Sequence, residues 1–176
     1  MSYRNGTYIA FDGNGTSDPT KGDLKYLGLL RAWKESDYID FNFTDSHKKT
    51  YQVRDSSSEK TLKDRLCERM SESKNMLVVI SDDTNFDRGL LNWEIETAMD
   101  VYKLPVIVAY GGESYLWEIR EDLIDILPKV IWRGVKYGGR NFAHIPFTKE
   151  RILGAINKYS AVSSVYPSSP DEIFFL

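Results

Sequence analysis

Cysteine is nearly absent: Cys67 is the only one in 176 residues. No internal disulfide can form, and a reducing, cytoplasmic location is the expectation. Long apolar runs are missing as well. The longest, Met76 to Ile80, is far too short to cross a bilayer, and no basic stretch followed by an apolar one marks a leader at the N-terminus. An excess of positive charge is lacking: the net charge is −3, which argues against a duplex nucleic-acid partner. Histidine is scarce. His47 and His144 are the only two, neither has a second ligand at helical spacing, and both read as surface residues rather than metal ligands. Three N-x-T sequons, at Asn5, Asn14 and Asn42, would matter only in a secreted chain.

What the chain does have is core-forming material. Hydrophobic residues make up 41% of it, enough for one domain with a substantial interior. Strands are predicted at Thr7–Phe11, Tyr38–Phe43, Asn75–Ser81, Leu104–Tyr110 and Lys129–Trp132. Helices are predicted at Leu24–Lys34 behind an Asp23 cap, from near Ser57 behind a Ser56/Glu59 capping box, and over Gly89–Tyr102. Two more cover Leu116–Leu127, and a segment capped by Thr148 and reaching Tyr159. This alternation implies a three-layer α/β fold of the flavodoxin type. Its parallel sheet of about five strands, in the order 2-1-3-4-5, carries helices on both faces. Residues 1–160 form one domain, and residues 161–176 are a tail that packs on the domain or on a partner. Ligands of such sheets sit beyond the carboxyl ends of the strands, so the loops after Phe11, Phe43 and Ser81 should border one crevice.

Several chemistries fail on spacing. Gly13-Asn14-Gly15 starts like a dinucleotide fingerprint, but Asp18 occupies the third glycine position and no P-loop lysine follows. Asp45-Ser46-His47 is a run of sequence neighbours, and G-x-S-x-G is absent. Asp12, Asp82 and Asp83 follow strands one and three, as the acids of a phospho-accepting receiver domain would. The hydroxyl and lysine such a domain needs are missing, since strand four ends in Ala109-Tyr110 and strand five runs into Trp132-Arg133. Asp83 and Asp87 then read as caps for the following helix.

One residue breaks its local pattern. In "DRGLLNWEIETAMD", Leu91, Ile95, Ala98 and Tyr102 form an inward stripe, and Glu94 stands inside it. A carboxylate there costs energy unless it is paired or lines a cleft. Pairing is the plain reading. Lining a cleft would let a desolvated anion stabilise a developing cation, such as the oxocarbenium formed when an N-glycosidic bond breaks.

"YIAFDG", and "NMLVVIS" followed by "DDTNFDRGLLNWEIETAMDVYKLPVIVAY", resemble TIR domains. "LLRAWKESDYIDFNFTDSHKK" and "LKDRLCERMSESKNMLVVISDDT" resemble more closely the TIR subunits of the Thoeris anti-phage defence system, the ThsB family. The likeness spans about Tyr8 to Tyr159. It implies a signalling enzyme that takes NAD+ as substrate, releases nicotinamide and makes a cyclic ADP-ribose isomer. That signal would activate a separate NAD-depleting effector, ThsA. No metal or other cofactor, membrane or nucleic acid is implied, and self-association is. By the same likeness Glu94 is the catalytic carboxylate, and Phe11 and Asp12 face the nicotinamide and ribose end. Gly13, Asp45 and Ser81 complete the substrate contacts, and Trp93 packs beneath the site. The stretch from Asp45 to Asp55 corresponds to the BB loop. The acidic "FDGNG" departs from the basic residues many TIR enzymes carry there, which leaves Arg88 and Lys48 as candidates for the diphosphate. A non-catalytic TIR interaction module, using surface loops and the apolar "IFFL" end, and a nucleoside ribosyl-transferring enzyme are the alternatives.

Overall fold

In a computed structural model, residues 4–12, 20, 22–36, 43–45, 59–84 and 90–175 are described. They form a six-stranded sheet of β1 (Gly6–Ala10), β2 (Phe43–Asp45), β3 (Ser73–Ile80), β4 (Val106–Tyr110), β5 (Phe142–Pro146) and β6 (Glu172–Ile173). Every neighbouring pair is parallel. The order is β2-β1-β3-β4-β5-β6, so the expected 2-1-3-4-5 arrangement is present, with one added strand at the β5 edge. The helices are α1 (Leu24–Glu35), α2 (Glu59–Ser71), α3 (Leu91–Asp100), α4 (Glu121–Ile124), α5 (Lys129–Tyr137) and α6 (Lys149–Lys158).

The strands are buried on both faces, and the period-two alternation of side chains divides the core. Tyr8, Ala10, Met76, Val78, Ile80, Val106 and Val108 point to the face covered by α2, α3 and α5. Ile9, Phe11, Leu77, Val79, Ile107 and Ala109 point to the face covered by α1 and α6. Thr148 caps α6 as expected, its hydroxyl accepting from the Arg151 N–H at 3.4 Å.

Four expectations need correction. Lys129–Trp132 is the start of α5, not a strand. Val130, Ile131 and Gly134 are buried at helical spacing, and Pro128 stands just before the first turn, where its missing N–H costs nothing. A four-residue apolar window cannot separate the two periodicities. The fifth strand is Phe142–Pro146, buried throughout. It packs so closely on α5 that a Cβ on Gly134 would meet the Phe142 ring at 2.4 Å.

His144, in the middle of β5, is fully buried rather than on the surface. Its Nδ1 pairs with the Tyr110 hydroxyl at 2.8 Å and its Nε2 with the Pro170 carbonyl at 3.1 Å. Burial pulls its pKa down to about 4 despite the Pro170 carbonyl, so the ring is neutral near pH 7. Of Leu116–Leu127, only Glu121–Ile124 is helical. Leu116, Leu123 and Leu127 are buried anchors of a loop that Arg120 braces through Glu113 and Asp122. Asp83 does not cap α3 either: Leu90 holds the cap position, without a side-chain bond.

The segment after α6 lies along β5. Ser160 and Val165 form an antiparallel bridge, the Phe142 N–H donates to Ser169, and Phe174 is buried. Glu172 anchors this run. Its carboxylate accepts from the Tyr159 hydroxyl, from Ser168 N–H, and from Ser168 Oγ at 2.7 Å.

Candidate functional site

Glu94 lies in the first turn of α3, where its N–H donates to the Leu90 carbonyl at 2.8 Å. That turn faces β1, and Glu94 is 4% exposed. Tyr8, on the same face of the sheet, donates its phenol hydroxyl to Glu94 Oε1. Burial pushes the Glu94 carboxyl up to about 7; the Tyr8 bond and the Arg69 charge pull the other way and only partly offset it. The Glu94 partner is thus a phenol, and the nearby cation acts through its field. A carboxyl poised near neutrality in a dry setting is chemically apt to answer a developing positive charge, because the low local dielectric strengthens that attraction.

Sequence reasoning passed over Tyr8. The signal was present: a tyrosine in a buried strand needs a partner for its hydroxyl, and Glu94 is the off-pattern acid of the facing helix.

A second polar cluster sits where β1 and β3 end. Asp23, predicted as a helix cap, does hold the cap position of α1 but makes no capping bond. Its Oδ1 instead accepts from the Ser81 hydroxyl, and its Oδ2 from Thr84 Oγ1 at 2.9 Å. The Ser81 N–H donates to Thr84 Oγ1 at 2.8 Å, which closes the loop after β3 on itself. Burial, together with the charges of Asp12 and Asp83, pushes the Asp23 carboxyl to about 6 against the pull of those hydroxyl bonds. This network joins the start of α1 to the loop that leads into α3.

The predicted contact residues divide. Phe11 and Asp12 lie buried just past the end of β1, and Ser81 is buried just past the end of β3. Trp93 is half-buried and carries the Lys63 ammonium 5.1 Å from its ring centroid, so it packs toward α2. Gly13, Lys48, Asp87 and Arg88 lie outside the described residues, as do Ser56, His47 and most of Asp45–Asp55. Asp45 contributes backbone pairing to β2, and its side chain is likewise outside them. Among the described residues no group of three or more His, Cys, Asp or Glu is arranged to hold a metal ion.

Residues 8–114, which include Tyr8, Asp23, Ser81 and Glu94, match the family described as Thoeris protein ThsB, TIR-like domain. The chain belongs to that family. The match runs from within β1 to the first residues after β4, so both polar clusters fall in the family's shared part. Among solved structures the chain is similar to a 2-deoxyribosyltransferase from Bacillus psychrosaccharolyticus, at 15% identity and a TM-score of 0.45. That similarity covers 93% of this chain and 98% of the other. Among the described residues no helix is long and apolar enough to cross a membrane. Membership in the Thoeris family makes this chain part of an anti-phage defence module.

Proposed function

We propose that this Thoeris family member cleaves NAD+ between nicotinamide and ribose, and that the enzyme-held ADP-ribose then closes on itself. One observation carries the reading: an acid in the first turn of α3, buried, with a near-neutral pKa and a phenol donor on one oxygen. As nicotinamide leaves, C1 of the ribose gains positive charge. The ionised Glu94 stabilises that charge, and Tyr8 fixes the orientation of the carboxylate. With water excluded, a nucleophilic atom of the same molecule adds at C1 and gives a cyclic ADP-ribose isomer. Admitted water would give the linear product. Phe11 and Asp12 just past β1, Ser81 just past β3, Gly13 and Asp45 are the proposed substrate contacts. The cyclic product acts as a diffusible signal to the effector ThsA, in the cytoplasm, and the TIR-like domains self-associate.

A second reading, a TIR module that only recruits partners, is favoured by the enclosure of Glu94, which is nearly solvent-free and already hydrogen-bonded. Product transfer separates the two. Protein incubated with NAD+, with or without extract from infected cells, is removed by filtration, and the filtrate is added to the effector. Effector NADase activity switched on by the parent filtrate, and not by a Glu94→Gln filtrate, supports the enzymatic reading. Activation that requires physical contact between the two proteins refutes it.

A further inference from the structure

An exposed row of rings lies at the carboxyl end of β4 and β5. Tyr115, Trp117 and Phe175 are 67%, 75% and 52% exposed. Tyr115 and Trp117 stack nearly parallel, 11° apart at 6.2 Å between centroids, and Trp117 meets Phe175 at 5.9 Å. Scattered exposed apolar residues need no explanation, but a stacked set does.

Beneath the rings is a cavity of about 40 Å³, lined by Tyr115, Leu116, Trp117, Pro146, Arg151 and Phe174 among others. Arg151 is in the first turn of α6. Its Nη1 is buried and has no hydrogen-bond partner, and no ion pair holds its guanidinium among the described residues. A buried guanidinium nitrogen without an acceptor is costly, and a cation in the first turn of a helix works against the helix dipole. Both penalties vanish when an oxyanion occupies the cavity, because the guanidinium and the helix end then act together on it.

We propose that this edge binds a nucleoside monophosphate, its phosphate on Arg151 and its base stacked on Trp117. The recessed cation calls for a small oxyanion that reaches inward. The open rings call for a flat group attached to that oxyanion. A broad protein interface fits less well, since the platform is short and Glu118, Arg120 and Glu121 follow it at once. The site shares no residue with the Tyr8–Glu94 pair, and it stands whether or not NAD+ is cleaved there.

Calorimetric titration of the whole chain with AMP, adenosine and inorganic phosphate tests the assignment. AMP should bind at least tenfold more tightly than either fragment. Trp117→Ala, at an exposed position that leaves the fold intact, and Arg151→Gln should each weaken AMP binding at least tenfold, whereas Glu94→Gln should leave it unchanged. The proposal is overturned if AMP does not bind, or if its affinity follows Glu94 rather than Trp117. It is also overturned if phosphate binds as well as AMP with no dependence on Trp117. The same holds if Trp117→Ala alters only self-association in sedimentation.

Discussion

The phenol hydroxyl of Tyr8 donates to the Glu94 carboxylate across 86 positions of sequence, joining β1 to the first turn of α3. That bond opposes the effect of burial on the Glu94 carboxyl. Tyr8→Phe should therefore raise the Glu94 pKa above about 7 while the ring keeps its packing. If the ionised carboxylate does the chemistry, nicotinamide release will rise with pH through a midpoint near 7 in the parent and a higher one in Tyr8→Phe. A pH–rate profile measures both midpoints. A fall in rate with no shift of midpoint would separate Tyr8 from the charge on Glu94.

Glu94 also makes stability depend on pH. Its folded pKa of about 7 lies above the ordinary 4.5, so the folded state holds the proton more tightly. Stability from this group is complete below about 4.5 and is lost as pH rises to about 7, a loss of roughly 3 kcal/mol. Glu94→Gln, which mimics the protonated form, should unfold at higher denaturant than the parent at pH 8 and at about the same denaturant at pH 4. Identical denaturation curves at pH 8 would show that the parent carboxylate is not strained.

Asp23 carries a structural prediction for the polar cluster after β3. Asp23→Ala removes the acceptor of both the Ser81 and Thr84 hydroxyl protons, while each oxygen still accepts from a backbone N–H of the loop. Each buried O–H donor left without an acceptor costs about 1–3 kcal/mol. Urea unfolding should show a loss of several kcal/mol, and hydrogen exchange should speed up in the loop after β3. Asp23→Asn keeps one oxygen acceptor and should lose less. Its stability should also lack the parent's decline between pH 3.8 and about 6, the window over which the stability conferred by the raised Asp23 pKa is lost.

At the other edge of the sheet the sign reverses. Burial alone would raise the Glu172 carboxyl, but Ser168, Tyr159 and Lys158 outweigh it and hold it at about 2. That stability is present above pH 4.5 and is lost as pH falls toward about 2. Glu172→Gln should free the segment after α6 at neutral pH, seen as faster proteolysis there, with β1 to β4 still protected. Equal proteolysis in both proteins would show that Glu172 is not the anchor.

Much of this was readable from residues alone. "NMLVVIS" and "LPVIVAY" are continuous apolar runs, and such runs in an alternating chain have little alternative to central parallel strands. Glu94 announced itself by interrupting an inward stripe. Other features resisted. "KVIW" is too short to show whether its period is two or 3.6, and "FAHIP" hides a strand behind a histidine whose partners, Tyr110 and Pro170, are distant in sequence. Asp23 precedes a helix as a cap would, and only the fold reveals that Ser81 and Thr84 claim its oxygens first. Tyr8 needed the sheet's facing to be paired with α3. For His144, Asp23 and Tyr8 the missing information was a long-range partner, which local propensity does not encode.

The most direct measurement is nicotinamide release from NAD+ by the parent chain and by Glu94→Gln at pH 8, with extract from infected cells added to both. The account predicts release by the parent, with a cyclised ADP-ribose product, and a drop of at least a hundredfold in the variant, which folds normally. Equal release by the two proteins would contradict it.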